Sequence, residues 1–296
     1  MSETKNQKIK IITDSTSDIP KAMAEEWDID ILPLTVIIDG KSYLDGIDYT
    51  TEAFYILMDT ATDLPKTSQI MADDFIAVYK KYYDEGYTDI IYPAIASIGS
   101  GTYQSALRAV EEFYEEVPRA KSQIQIHCID MQNYSINYGY AVVEAAKKNK
   151  KNTSASEIIE YLKDWSACVE VHILPFTLKF IRKSGRLSAA AAFAGELLGL
   201  RPIISIIDGV SSVPFKIRGD KKAAATLLDY CEKRMVPKSP YCMLCGDNTE
   251  STNEFVKVIT ERFGYPPEII QPVGAVIASH SGHNLIAVII RGEKRR

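Results

Sequence analysis

The sequence predicts an α/β fold: a mostly parallel sheet with helices on both faces, plus a second α+β domain. In the first half of the chain, short apolar runs rich in β-branched residues alternate with helical patterns, which is typical of a parallel sheet covered on both faces. After Ser154 this alternation gives way to a hairpin pattern and less regular elements. We therefore predict an N-terminal α/β domain over residues 1–153 and a C-terminal α+β domain over residues 154–296.

Length and composition indicate an ordinary globular protein. The chain has 296 residues, enough for two domains, and its net charge of −5 argues against general nucleic-acid binding. No apolar run is long enough for a transmembrane helix, and the polar N-terminus does not resemble a signal peptide. Five cysteines in a chain of this length do not make a disulfide framework, so we expect a reducing, cytoplasmic location.

Two short motifs are interpreted as structural rather than functional. Cys242 and Cys245 have the spacing of a redox motif, but they lie in a run that predicts a buried strand, and no second cysteine pair supports a metal site. The basic end, residues 291–296, is interpreted as a solvated tail rather than a binding patch. We expect neither a metal nor a cofactor.

Turn residues separate the predicted elements of the first half. Asp39-Gly40 is a hairpin signal, and Pro20 suits the first turn of a helix. Pro65 ends a later helix, so Thr67 and Ser68 are expected on a loop. The predicted strands are residues 9–13, 29–38, 41–44, 89–94 and 124–129, and the predicted helices begin near residues 20, 51, 73, 102 and 136.

An apolar segment at residues 189–200 stands out in the second half. Its default interpretation is core, and the alternative is that the two domains enclose an apolar tunnel. Asp208-Gly209 predicts the turn of a hairpin. The predicted strands are residues 169–174, 202–207, 212–217, 241–244, 268–271 and 285–290, and the predicted helices hold residues 158–165, 176–181, 254–263 and the residues that follow 218–222.

Residues 95–106 form the stretch around which we expect a site. A strand leads in and a helical pattern leads out, and Gly99, Gly101 and several hydroxyls lie between them. A helix N-terminus has unpaired N–H groups and partial positive charge, so it suits an anion or an oxygen-rich head group. The alternative is an ordinary strand-to-helix turn. Polar turns at residues 13–15 and 130–135 also follow strands, and a parallel sheet gathers such turns at one edge.

Motifs of common enzyme classes are missing from this stretch. Ser100 is flanked directly by Gly99 and Gly101, so the nucleophile elbow Gly-x-Ser-x-Gly is not present. Thr102 and Tyr103 follow Gly101 where a phosphate-binding loop needs Lys and then Ser or Thr. A dinucleotide fingerprint is also absent. These patterns argue against an enzyme.

Two other function classes stay open. Hydroxyls and His280 are expected at one edge of the sheet, so a hydrolase or phosphotransferase could pair Ser97 or Ser100 with His280. A regulatory protein that senses a polar metabolite is the other alternative. A lone histidine before a buried strand is more often structural, and His280 with His283 makes only a weak metal-binding pattern.

Short motifs occur in order along the chain: Ile12-Thr-Asp-Ser15, Pro65-Lys-Thr-Ser-Gln69, Ser97-Ile-Gly-Ser-Gly-Thr-Tyr-Gln-Ser105, Ile129-Asp130, Ser184-Gly-Arg-Leu-Ser188, Arg218-Gly-Asp-Lys-Lys222 and Ser279-His280-Ser-Gly282 after Gly274. This ordered set resembles the DegV family, and the match runs over nearly the whole chain, from residue 9 to residue 290. The resemblance implies a two-domain protein that binds one long-chain fatty acid between its domains. It also implies that this protein presents the fatty-acid carboxylate to a separate ATP-dependent fatty-acid kinase, which phosphorylates it for phospholipid synthesis.

The resemblance also implies the residues of the site. Hydroxyls of two loops and the C-terminal histidine are expected to hold the carboxylate, and the arginine of a Gly-Arg turn is expected to dock the kinase. Transient contact with a membrane surface is compatible with such a carrier. The implied fatty-acid-binding residues are Thr67, Ser68, Ser97, Ser100 and His280, and the implied docking residue is Arg186.

Three segments depart from the family pattern. Ser184-Gly185-Arg186 replaces the usual Gly-Gly-Arg, and Ala278-Ser279 replaces the usual Gly-Thr. After the histidine, a small or apolar residue and then Gly-Pro-Gly are usual, and this chain has Ser281-Gly-His-Asn284. The altered loop affects the expected head-group geometry, and His283 is a candidate for changing what is bound.

A fatty acid also fits on physical grounds. Burying roughly 15 methylenes at about 0.8 kcal/mol each gives on the order of 12 kcal/mol before association costs, so the tail would supply the affinity. A carboxylate in a dry pocket needs several donors or a cation. We expect hydroxyls, backbone N–H groups and a protonated His280 to meet that need.

Overall fold

The structure, a computed structural model, describes residues 7–186, 199–246 and 249–295 of the chain. Its first half alternates strands and helices, as predicted. The strands are β1 (Ile9–Asp14), β2 (Ile29–Leu32), β3 (Thr35–Ile38), β4 (Lys41–Leu44), β5 (Lys66–Ser68), β6 (Asp89–Ala94) and β7 (Gln125–Asp130), and the helices are α1 (Lys21–Glu26), α2 (Thr51–Thr60), α3 (Ala72–Asp84), α4 (Thr102–Glu116) and α5 (Ile136–Lys150).

The main sheet of the first half is parallel throughout, in the order β2-β1-β6-β7. Its central strands are buried along their whole length, and Ile11 of β1 lies opposite both Ile29 and Ile91. Burial on both faces explains why these strands read as continuous apolar runs. The predicted parallel sheet is confirmed.

Two details of the first half differ from the prediction. Residues 29–38 form two strands rather than one, because Pro33 has no N–H to donate and the chain leaves the main sheet after Leu32. It then forms β3, the centre of a separate antiparallel sheet of order β4-β3-β5. Thr67 and Ser68, predicted on a loop, lie in β5 at the edge of this small sheet.

The second half begins with a helix and is built around a six-stranded sheet of order β10-β9-β8-β13-β11-β12, which is antiparallel except for its last pair. The predicted Asp208-Gly209 hairpin is present. The elements are α6 (Ala155–Cys168), β8 (Val169–Pro175), α7 (Ile181–Ser184), β9 (Leu200–Ile207), β10 (Val210–Arg218), α8 (Asp220–Arg234), β11 (Tyr241–Cys245), α9 (Thr249–Phe263), β12 (Ile269–Pro272), α10 (Ala275–Ser281) and β13 (Leu285–Arg291).

Two stretches of the second half were assigned the wrong local structure. Phe176 was predicted in a helix, but its backbone N–H donates to Asn284 O at 3.0 Å and extends the pairing of β8 with β13. The residues around His280 were predicted off a helix, but they form α10 between Gly274 and Gly282. Gly282 has a φ of 76°, a conformation that L side chains rarely adopt and that marks the end of the helix.

The basic end of the chain is held by ion pairs, so its interpretation as a solvated tail was wrong. Arg291 Nη2 lies 2.8 Å from an Asp164 oxygen, and Arg295 contacts Asp208 at 3.1 Å and Glu170 at 3.4 Å. Burial alone would raise the pKa of the Glu170 carboxyl, but the nearby His172 ring and the hydrogen bonds from Arg234 outweigh it and lower that pKa to about 2. These carboxylates fix the end of the chain against the sheet.

The two cysteines with redox-motif spacing lie in a buried strand, as predicted. Cys242 and Cys245 are buried in β11, and their odd spacing places them on opposite faces of the strand, each in a different apolar cluster. Of the apolar segment at residues 189–200, residues 189–198 lie outside the described residues. Within the ranges that the structure describes, no helix is both long enough and apolar enough to cross a membrane. The boundary between residues 153 and 154 stays a prediction.

Candidate functional site

The first polar turn, after β1, is hydrogen-bonded to the neighbouring elements through Asp14. Asp14 is fully buried, and its Oδ2 accepts hydrogen bonds from the Tyr92 hydroxyl at 2.9 Å and from the Ile95 N–H at 3.1 Å. Its Oδ1 accepts a bond from the Tyr138 hydroxyl at 2.7 Å. Asp14 therefore ties together the ends of β1 and β6 and the first turn of α5, which brings the three predicted polar turns to one edge of the sheet.

Asp18, in the same turn, connects that edge to the second half of the chain. Its carboxyl accepts hydrogen bonds from the Ser135 hydroxyl and, at 3.1 Å, from the backbone N–H of Gly274, where α10 begins. Burial raises the pKa of the Asp18 carboxyl to about 8. A Cβ at Gly274 would lie 1.9 Å from an Asp18 oxygen, so this approach requires glycine.

The second polar turn is braced by the third. Ser97 donates from its backbone N–H to Asp130 Oδ1 at 3.2 Å and from its hydroxyl to Asp130 Oδ2 at 2.5 Å. Asp130 Oδ1 also accepts the Gln132 N–H at 2.9 Å. Ser97 therefore holds the loop before α4 in place, and the structure does not place it among the residues that line the cavity described next.

A cavity of about 170 Å³ lies between the edge of the first sheet and the face of the second. Gly99, Ser100 and Gly101 line it, so the predicted helix N-terminus of α4 faces this cavity. Ser100 Oγ lies 2.9 Å from Thr102 Oγ1. The wall combines a polar set, which includes Thr67, Ser68, Ser100, Arg186 and His280, with an apolar set, which includes Ile95, Val171, Ile173, Ile206, Leu244 and Val276.

Thr67 and His280 form a pair that joins the two halves of the chain. Thr67 Oγ1 on β5 lies 2.9 Å from His280 Nε2 on α10. Burial, and then the positive charge of Arg186, lower the pKa of the His280 imidazole to about 4. Arg186 is the charge that acts on the imidazole here, and a protonated His280 beside a bound carboxylate stays a prediction.

Arg186 lies at the cavity and on the surface at once. Its Nε donates to the Gly99 carbonyl at 3.0 Å, which links the Gly-Arg turn to the loop before α4. A second cleft of about 390 Å³ shares Thr67, Arg186 and His280 with the cavity and adds Lys66 and Lys183. The polar residues therefore border both an inner space with apolar walls and an outer space with basic ones.

The contacts do not assemble the Ser/His pair that was the catalytic alternative. His280 is hydrogen-bonded to Thr67, Ser97 to Asp130, and Ser100 to Thr102. His283, the candidate for changing what is bound, instead contacts Asp59 at 3.0 Å through Nε2 and stacks on Tyr55.

Sequence reasoning missed five polar residues of the cavity wall, namely Gln69, Tyr134, Ser135, Asn137 and Ser281. Gln69 Nε2 donates to Ser105 Oγ at 2.8 Å, and a Cβ at Gly101 would collide with the Gln69 amide. Tyr134 lies in the predicted third polar turn, so its position was a usable signal. Asn137 gave no signal, because it lies inside a helical pattern.

Comparisons with known proteins agree with this architecture. A family model described as an uncharacterised protein of the DegV family matches residues 8–293. A DegV domain-containing protein of Clostridium perfringens is 31% identical over 294 residues, which cover 98% of this chain and 99% of that protein. The similarity therefore extends over both halves of the chain.

Two solved structures are also similar. One, a DegV family protein from Thermus thermophilus described by its fatty-acid binding, is 28% identical, with a TM-score of 0.81 over 97% of this chain and 100% of that chain. The other, a Thermotoga maritima protein whose structure is described as revealing a fatty-acid-binding function, is 27% identical, with a TM-score of 0.79 and the same coverage.

Proposed function

This chain belongs to the DegV family, and on that basis we propose that it binds one long-chain fatty acid and acts as a lipid-binding subunit, with no catalytic residue or cofactor of its own. The observation that supports the proposal most is the cavity, which has an apolar wall and polar residues at one loop cluster. The names of the similar Thermus and Thermotoga structures point to the same ligand class. We further propose that domains 1–153 and 154–296 enclose the ligand between them.

The size of the cavity sets a condition on binding. An apolar cavity of about 150 Å³ binds benzene, so a cavity of about 170 Å³ holds on the order of six to eight carbons. A longer tail therefore extends beyond this cavity or requires its walls to move apart. Each methylene that enters contributes about 0.8 kcal/mol, which favours such an opening.

We assign the head group to the polar part of the wall. The hydroxyls of Thr67, Ser68 and Ser100, together with His280, would donate to the carboxylate, and N–H groups at the start of α4 would add to them. Ser97 would act indirectly, by holding the loop through Asp130. The outer basic cleft would leave the carboxylate open to a separate ATP-dependent fatty-acid kinase, with Arg186 in the docking surface.

Replacing Thr67 by Val should weaken fatty-acid binding about tenfold. The change removes the hydroxyl that contacts His280 and keeps the side-chain shape, so a buried carboxylate would lose one charge-assisted hydrogen bond. A fluorescent fatty-acid displacement assay measures the effect. Thr60→Val, on the exposed side of α2, is the matched control and should bind as the wild type does. Equal affinity of the Thr67 variant would contradict the head-group assignment.

Fatty-acid binding should raise the pKa of His280 from about 4 by at least one unit, because a carboxylate beside the imidazole favours its charged form. The bound state then takes up a proton, so affinity should increase as the pH falls through the raised pKa towards 4. NMR titration of the His280 ring protons measures this pKa, and a His280→Gln variant should lose the pH dependence. A pKa that stays near 4 with ligand bound would place the carboxylate elsewhere.

Arg186→Ala should leave fatty-acid affinity within about twofold and slow phosphorylation by the kinase about tenfold or more. The guanidinium is exposed, and among the described residues it donates to the Gly99 and Ser184 carbonyls, which leaves part of its surface open to a partner. A reconstituted kinase assay with saturating fatty acid provides the measurement, and Arg119→Ala, far along the chain from the cavity, is the control. Unchanged phosphorylation kinetics in the Arg186 variant would reject the docking role.

A further inference from the structure

The cavity wall contains a buried polar atom that no group of the described residues satisfies. Asn137, in the first turn of α5, lines the cavity and is 1% exposed, and no hydrogen-bond partner reaches its side-chain Oδ1. Its backbone carbonyl is paired, because it accepts the Trp165 Nε1–H at 2.7 Å. Leaving a buried acceptor unpaired is unfavourable, so such atoms are rare in proteins and indicate a place where a ligand group can bind.

A donor lies three residues before it on the same wall. Tyr134 also lines the cavity, with its ring packed so closely on Gly99 that a Cβ there would lie 2.5 Å from the hydroxyl. In the part of the chain that the structure describes, the Tyr134 hydroxyl makes no hydrogen bond. Burial, and then the charge of Asp130, raise its pKa to about 12 against the opposing effect of Arg186. The hydroxyl is therefore protonated at neutral pH and can donate.

An unsubstituted alkyl tail cannot serve either group. It would cover Asn137 with methylenes and leave its buried acceptor unpaired, and it would offer no partner to the half-buried Tyr134 hydroxyl. A single hydroxyl group can donate one hydrogen bond and accept another, which matches these two groups. Apart from the head-group residues, most of the remaining wall is apolar, so the rest of the ligand would still be hydrocarbon.

We propose that this protein prefers fatty acids with a hydroxyl substituent on the acyl chain, and that the hydroxyl donates to Asn137 and accepts from Tyr134. The inference rests on the proposed function, since it specifies which fatty acids the same cavity selects. Asn137 and Tyr134 are then specificity-determining residues, separate from the head-group residues Thr67 and His280.

The test compares octadecanoate with monohydroxy-octadecanoates that have the hydroxyl at successive positions along the chain. For the wild type, at least one positional isomer should bind about fivefold or more tightly than octadecanoate, which corresponds to one net hydrogen bond. Asn137→Leu, similar in shape and without the acceptor, should remove this preference and bind octadecanoate at least as well as the wild type. Tyr134→Phe should reduce the preference in the same direction and is the more conservative variant.

Controls separate the possible failures. Tyr161→Phe removes a hydroxyl outside the cavity and should leave the preference unchanged, and thermal unfolding shows that each variant is folded. If octadecanoate binds the wild type as tightly as every hydroxy isomer, or if both cavity variants keep the preference, this inference is overturned while the proposed function stands. If neither kind of fatty acid binds, both are overturned.

Discussion

Replacing Ile206 by Trp should lower fatty-acid affinity at least about 100-fold. Ile206 is a buried residue of β9 in the apolar wall of the cavity, where a larger side chain extends into the space that the tail needs. A loss of about 100-fold equals ~2.7 kcal/mol, or three to four methylenes that no longer enter. Isothermal titration calorimetry with a long-chain fatty acid measures the change.

Because the cavity offers room for part of the added ring, the Ile206 variant should stay folded and lose no more than about 1–3 kcal/mol of stability. Val210→Trp is the matched control, since it adds the same side chain at an exposed position of the neighbouring strand β10. It should bind fatty acid as the wild type does. Wild-type affinity in a folded Ile206→Trp variant would show that the tail lies elsewhere.

Glu170→Ala should destabilise the protein by about 3–5 kcal/mol, measured by urea unfolding. The Glu170 carboxylate is buried, and Arg234 reaches it with two hydrogen bonds of 2.6 and 2.9 Å. His172 and Arg295 approach the same carboxylate, at 3.2 and 3.4 Å. Removing one member of a buried ion-pair network leaves the others uncompensated, which costs more than the pair contributes.

The same network predicts an acid limit to stability. The pKa of Glu170 is about 2 in the folded protein and 4.5 in its ordinary range, so the unfolded state takes up the proton first. The stability that the low pKa of Glu170 gives the folded protein is therefore fully present above pH 4.5, and it is lost as the pH falls towards 2. Asp164→Ala, which breaks partly exposed ion pairs with Arg291 and Lys294, is the control and should cost about 0–1 kcal/mol. Equal costs for the two variants would refute the role of burial.

The parallel sheet could be predicted because its strands are buried on both faces and leave a continuous apolar signal, as in residues 89–94. The small sheet around β3 could not, because β5 consists of Lys66, Thr67 and Ser68, which have no strand pattern of their own. That strand exists because residues 35–37 pair with it, and such pairing is not local in sequence.

The candidate site was also predictable only in part from the sequence. Its loops were predictable from glycines and hydroxyls that follow strands, and four of the five expected head-group residues line the cavity. The low pKa of His280 was not predictable, because it depends first on burial in the folded protein and then on Arg186, which lies 94 positions earlier in the chain. The helix that holds His280 has seven residues, too few for a clear periodic pattern.

The most direct measurement is mass spectrometry of the freshly purified protein after denaturation. The account predicts that long-chain fatty acid is released in stoichiometric amount from the wild type and is absent from the Ile206→Trp variant purified in parallel. Lipid-free wild-type protein, recovered consistently from cells grown with added fatty acid, would contradict it.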